Sequence, residues 1–206
     1  MRKLEFFFDY ASPWSYMAFC RIEALAAESA AELLWRPVAM AEIFAKANPG
    51  VAAMRAQPVP AKVKHYYKDM RDWARRLGIV IGRPPVYGGA SRQLDSRLAL
   101  QGAMLALEQG VISPYTQALY RAYWQDLRDL ADLAVLGELA AGVGLDAAAF
   151  RREIEGETPR RRLQANIDDL VARGGFGVPT LFVNGLDMYF GNDRLDFARE
   201  ALLAAA

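Results

Sequence analysis

The stretch Phe6-Phe7-Phe8-Asp9-Tyr10-Ala11-Ser12-Pro13-Trp14-Ser15-Tyr16-Met17-Ala18 sets the plan of this chain. It begins inside a β-prone run, Leu4 to Phe8, whose bulky rings suit a pleated, buried surface. It breaks at Ala11-Ser12-Pro13 and continues from Trp14 to Ala27 with apolar residues at helical spacing. Serine before proline marks a helix start: Ser12 can cap it, and Pro13 has no amide hydrogen to lose in the first turn. Ser12 is thus expected at a strand-to-helix corner, its hydroxyl near backbone amides and the positive end of the helix dipole. Such a corner stabilises an anion. Two roles fit the position, a plain helix cap and a group that steadies a bound anion. These residues by themselves leave both open.

The other end of the chain carries Gly177-Val178-Pro179-Thr180-Leu181-Phe182-Val183. Proline immediately before a second β-prone run suits the start of an edge strand and predicts a cis Val178–Pro179 bond. A strand–turn–helix with Ser-x-x-Ser at the helix start, paired with a late Val-Pro-Thr strand, is the plan of a thioredoxin-like fold. In redox members of that fold a Cys-x-x-Cys stands where this chain has Ser12-Pro13-Trp14-Ser15. Ser12 and Val178 are therefore expected to face each other across a cleft.

Composition narrows the function classes. Apolar residues make up 53% of the 206 positions, enough for a substantial core, and the formal net charge is +1. That balance gives no electrostatic reason to expect nucleic acid or an anionic membrane as partner. No apolar run is long enough to span a bilayer, and Leu4 to Phe8 is no signal-peptide core, so a soluble cytoplasmic protein is expected. The single cysteine, Cys20, cannot form an internal disulfide, which excludes a dithiol oxidoreductase. Within its helix it reads as a small packed hydrophobe. No metal-ligand cluster stands out.

Along the chain, Glu32 to Val38 reads as a second strand, joined to the first by a crossover helix and so parallel to it. A short helix over Ala39–Lys46 ends in the turn chemistry of Ala47-Asn48-Pro49-Gly50. Ala61 to Leu77 follows with helical periodicity and stops at Gly78. Gly82 to Gly89 has no regular pattern and reads as an ordered loop over a cleft. Helices are expected over Arg92–Gln109, Pro114–Asp126, Leu130–Ala141, Ala147–Ile154 and Pro159–Arg173. Thr180–Val183 and Met188–Phe190 form a hairpin about Asn184-Gly185. Asn192 caps a last helix over Asp193–Ala204. Sheet-forming segments thus lie at the two ends with helices between them. The expected fold is α/β, a thioredoxin-like domain (1–38 and 174–206) split by an all-helical insertion (39–173), with a ligand cleft between the halves.

Three segments together make a likeness to a known family specific: Phe-Asp-Tyr-Ala-Ser-Pro-Trp-Ser-Tyr at 8–16, Phe-Gly-Val-Pro-Thr-Leu-Phe-Val at 176–183, and Phe190-Gly191-Asn192-Asp193-Arg194-Leu195. The chain resembles the 2-hydroxychromene-2-carboxylate isomerases, relatives of the kappa-class glutathione transferases within the DsbA-like group. The resemblance spans essentially the whole chain and implies a homodimer with glutathione as cofactor. It implies that the Ser12 hydroxyl stabilises the glutathione thiolate and that the Val178 backbone clasps the cysteinyl part. Phe190, Gly191, Asn192 and Asp193 would hold the γ-glutamyl end, with the Asp193 carboxylate on its ammonium. Asn48, Lys62 and Tyr87 would face a substrate such as 2-hydroxychromene-2-carboxylate or a similar conjugated aromatic oxo-acid. A kappa-like transferase or peroxidase, or a non-catalytic thiol-binding module, would use the same site. His65, the sole histidine, reads as a surface or packing residue, and Arg160-Arg161-Arg162 as a solvated helix face.

Overall fold

The computed structural model describes residues 1–82 and 95–204, without the side chain of Ala52. Strand β1 (Arg2–Phe8) leads through the Ser12 corner into α1 (Pro13–Glu28) and back into β2 (Ala31–Pro37). β1 and β2 pair in parallel, as the crossover helix requires. Near the other end, β3 (Thr180–Val183) runs antiparallel to β1, and β4 (Asp187–Phe190) antiparallel to β3. The sheet order is β2-β1-β3-β4. β3 is therefore an internal strand, not the edge expected for a proline-led run. Pro179 lies one residue outside it, so the ladder never needs the amide hydrogen that proline lacks.

The phenylalanines of β1 explain its burial on both faces. Phe6 and Phe8 share one face, stacked at 5.0 Å, while Phe7 points to the other and meets Phe182 edge-on at 5.7 Å. With both faces covered, the second half of the strand, Phe6 to Phe8, is continuously apolar instead of alternating. The hairpin after β3 turns through Asn184 and Gly185, both at positive φ (51° and 79°). Val183 pairs with Asp187, which makes the loop three residues long instead of two.

Between β2 and β3 the described chain is helical. It comprises α2 (Met40–Ala47), α3 (Gly50–Ala56), α4 (Pro60–Leu77), α5 (Arg97–Glu108), α6 (Ile112–Trp124), α7 (Leu133–Gly142), α8 (Ala147–Glu153) and α9 (Glu157–Ala172). The short α3 was not expected, because Asn48-Pro49-Gly50 reads as a turn. Here Pro49 instead takes the helix-start position before Gly50. One continuous core joins β1 to α5, α6 and α9. A smaller cluster, Met17 with Met70 and Ala74, packs α1 against α4. Gly78 closes α4 in the left-handed conformation (φ 67°).

The last helix departs from expectation. Asn192–Arg194 form a single 3₁₀ turn, and α10 (Leu195–Ala204) follows directly. The Asn192 side chain caps nothing: it is 4% exposed, and its Oδ1 has no hydrogen-bond partner among the described residues. Cys20 also departs, lying exposed where α1 meets α10. Desolvation in that crevice pushes its thiol up to about 11. Among the described residues no helix is long and apolar enough to cross a membrane.

Candidate active site

The corner after β1 is held from three directions. The Asp9 carbonyl accepts the Ser12 N–H (3.1 Å) and the Tyr120 hydroxyl (3.3 Å), while the Trp124 indole N–H donates to the Tyr10 carbonyl (2.9 Å). The Asp9 carboxylate is buried and accepts the Ala11 N–H (2.9 Å) on one oxygen and the Met40 N–H (2.7 Å) on the other. A bond from Ser96 adds a third donor. Burial nonetheless outweighs these donors and raises the carboxyl above its ordinary value. Asp9 thus joins the corner to the starts of α2 and α5. The sequence carried no sign of this, since an aspartate after a strand is ordinary turn chemistry.

Ser12 caps the helix and makes one further contact. Its Oγ accepts the Ser15 N–H at 3.1 Å, which is the helix cap. The same hydroxyl donates to the Val178 carbonyl at 3.4 Å, across the cis Val178–Pro179 bond. That second contact is long for an O–H···O bond. The proton is weakly held and free to turn to a stronger acceptor. Ser12 is 2% exposed. Ser15 is fully buried, one turn further in.

Beside this pair opens a hollow of about 370 Å3 lined by Trp14, Trp73, Val178, Phe190, Asn192 and Asp193, with Asp69 and Arg194 at its rim. Gly191 sits at φ 111°, and a Cβ there would lie 2.5 Å from the Asp193 carboxylate, so only glycine fits. The Gly191 N–H donates to the Pro179 carbonyl (3.0 Å), which locks the 3₁₀ turn beside the Val178 segment. Arg21 donates to the Asn192 carbonyl (3.2 Å) and ties the turn to α1. The Asp193 carboxylate is half-exposed and meets Arg194 at 3.3 Å, an ion pair of little energetic weight at such exposure.

Of the residues singled out from sequence, Val178, Phe190, Gly191, Asn192 and Asp193 come together around one hollow, and Ser12 lies directly behind Val178. Lys62 lines a separate hollow of about 510 Å3 between α3 and α4, which shares Asp69 with the first. Asn48 lines neither: its amide donates to the Phe176 carbonyl at 3.4 Å, bracing the segment that leads to Val178. Tyr87 lies outside the described residues. Arg160, Arg161 and Arg162 are exposed, and Arg162 pairs with Glu108. Sequence reasoning passed over Asp69, Trp73 and Arg194. The first two belong to a stripe on α4 that has the period of a packed face, and periodicity does not tell a packed face from a cavity wall.

Residues 3–203 match the DSBA-like thioredoxin domain. The chain belongs to that family. Within it, the chain is 30% identical to a 2-hydroxychromene-2-carboxylate isomerase of Sphingobium xenophagum, over 98% of both chains. A protein of the same name from Pseudomonas sp. (strain C18) is 28% identical, over 97% of this chain and 89% of that one. The fold matches a solved 2-hydroxychromene-2-carboxylate isomerase with a TM-score of 0.80 at 23% identity, covering 98% of this chain and 95% of that one. The cytosolic disulfide reductase DsbM from Pseudomonas aeruginosa, solved with GSH, matches with a TM-score of 0.69 at 23% identity over 98% of each chain. This family member therefore stands among the 2-hydroxychromene-2-carboxylate isomerases. Where the redox members have cysteines it has Ser12 and Ser15.

Proposed function

We propose that the protein is a glutathione-dependent isomerase of 2-hydroxychromene-2-carboxylate or a similar conjugated aromatic oxo-acid. The observation that carries this reading is the Ser12 hydroxyl, held 3.4 Å from the Val178 carbonyl at the edge of the hollow. The names of the relatives supply the substrate class, and the GSH-bound DsbM supports the cofactor.

The walls of the hollow suit a γ-glutamyl tripeptide. The Val178 N–H has no partner among the described residues and, with the carbonyl, offers a donor–acceptor pair to an extended peptide. The buried, unpartnered Asn192 Oδ1 and the half-exposed Asp193 carboxylate suit an ammonium group. When bound, glutathione supplies a thiolate that adds reversibly to a conjugated double bond, which lets that bond rotate. Ser12 turns its O–H from the Val178 carbonyl to the sulfur and, with the positive end of α1, favours the charged form. Val178 and the Asn192–Asp193 turn fix the peptide, so that positioning and not proton transfer is the main contribution of the chain. Lys62 faces the acid from α4.

In this reading the inserted helices, residues 39–173, form the substrate side of the cleft, and the protein is a cytoplasmic homodimer. The test is conversion of 2-hydroxychromene-2-carboxylate to trans-o-hydroxybenzylidenepyruvate, followed with and without glutathione. Turnover that ignores glutathione overturns the cofactor assignment. A product that keeps the thiol makes the protein a transferase instead.

A further inference from the structure

Helix α4 lays Lys62, His65, Tyr66 and Asp69 along the wall of the 510 Å3 hollow, which Met54 of α3 and Val59, the residue before α4, also line. Met54 and Val59 remain 44% and 50% exposed, an apolar lining without a protein partner. Lys62 and His65 are one turn apart and share a face. Asp69 follows seven residues after Lys62, about 10 Å further along the axis. The hollow therefore has basic groups near the start of α4 and an acidic one about two turns on, where it meets the Trp14–Val178 hollow, with apolar side chains along it. Neither the Lys62 nor the His65 side chain has an ion pair or hydrogen bond among the described residues. The two hollows also meet through Tyr66, whose ring stands edge-on to Trp14 at 5.5 Å.

We propose that this hollow seats the aromatic acid and that His65 determines its specificity. The ring lies between Met54, Val59 and Tyr66. The carboxylate is held by Lys62, with the His65 imidazole as the second donor, and Asp69 repels an acid entering the other way round. Volume and lining fit a small planar ligand anchored by few polar groups. The ammonium of Lys62 is a point charge on a flexible stem and orients a carboxylate poorly. A ring N–H one turn away supplies the missing direction. This assignment rests on the reading of the protein as acting on an aromatic acid, but it is tested by binding alone.

The probes are trans-cinnamate and its neutral counterpart cinnamamide, titrated calorimetrically into the whole protein without glutathione. Wild type is expected to prefer cinnamate. His65→Leu should weaken cinnamate about tenfold and leave cinnamamide unchanged, as for loss of one hydrogen bond to a charged group. His65→Gln, which keeps a donor, should recover most of the loss. Val59→Trp should fill the hollow and abolish both titrations while glutathione affinity stays at the wild-type value, which also shows that the variant is folded. Cinnamate affinity unaltered by His65→Leu, or by Val59→Trp, overturns the proposal. So does a Val59→Trp protein that binds cinnamate normally but sediments at a different mass, because the apolar lining then seats a second copy of the chain. A wild type that binds cinnamate here yet never isomerises 2-hydroxychromene-2-carboxylate leaves the site standing and removes the isomerase reading.

Discussion

The Ser12 hydroxyl oxygen lies 3.4 Å from the carbonyl oxygen of Val178, though 166 residues separate the two in sequence. The same oxygen caps α1 through the Ser15 N–H. One side chain thus makes the helix cap and touches the Val178 carbonyl, and under the proposed function a single substitution should disturb stability and activity by different amounts.

Ser12→Ala removes a cap worth about 1 kcal/mol, so the melting temperature should fall by about 2–4 °C in a domain of this size. Glutathione affinity should be largely kept, because Val178 and the Asn192–Asp193 turn make the other contacts. The bound thiol's pKa should rise, so activity at neutral pH falls and partly returns as pH increases. Thiolate ultraviolet absorbance against pH, recorded beside the pH–rate profile, checks this. If both curves stay in place while only the melting temperature drops, Ser12 is a cap and nothing more.

Asp193→Ala should weaken glutathione about ten- to a hundredfold, the equivalent of one charge-assisted hydrogen bond of about 1.5–3 kcal/mol. The carboxylate's existing pair with Arg194 is half-exposed, so its loss should scarcely alter folding. Calorimetry on the folded variant decides. Unchanged affinity would mean that the carboxylate holds no ammonium.

Asp9 provides a pH test. Burial raises its carboxyl in the folded state, against an unfolded value of about 3.9. A raised folded pKa means that the stability it contributes is fully present below the unfolded value and is lost as pH rises through the folded one. Asp9→Asn cannot ionise. Relative to wild type it should therefore gain stability as pH goes from about 3.5 to 7, whatever its absolute stability. Urea midpoints of both proteins across that range measure the difference, and parallel curves would contradict it.

Glu5 titrates in the opposite sense. Burial pushes its carboxyl up, but the hydrogen bonds and charges of Arg173 (2.7 Å) and Arg36 (3.0 Å) outweigh that and hold it below its ordinary value. A lowered folded pKa gives stability that is present above the unfolded value of about 4.3 and is lost as pH falls. Glu5→Gln should cost about 1–3 kcal/mol at pH 7, and the gap from wild type should narrow toward pH 3. Arg173 also stacks 3.6 Å over Phe182, so Arg173→Gln should cost more than Glu5→Gln. Denaturant midpoints at the two pH values test both statements.

Local signals carried much of the fold. The Phe6–Phe8 run, the Ser12-Pro13 start of α1 and the Gly78 stop of α4 each depend on residues within one or two turns of themselves, and each forms as its sequence dictates. The candidate site was legible where a motif coincided with such a signal, as at Ser12 and at Val178-Pro179. It was not legible where the signal was ambiguous. Asn192 has the sequence of a cap, yet the 3₁₀ turn buries its side chain unpaired. Cys20 sits in an apolar helix, yet the face it occupies is exposed.

By itself the sequence determined most element types (α3 and the 3₁₀ turn at Asn192 excepted), the Ser12 corner and the proline-led strand, because helix and strand periods and caps are short-range properties of the chain. Tertiary structure alone decided that β3 lies inside the sheet, that Asp9 joins the corner to α2 and α5, and that Lys62, His65, Asp69 and Trp73 line hollows while Met70 of the same helix packs into core. Each of these depends on which distant segment arrives opposite. A period of 3.6 residues says which side chains share a face, but only the packing of α3 and the Asn192 turn around α4 leaves part of that face open to a ligand.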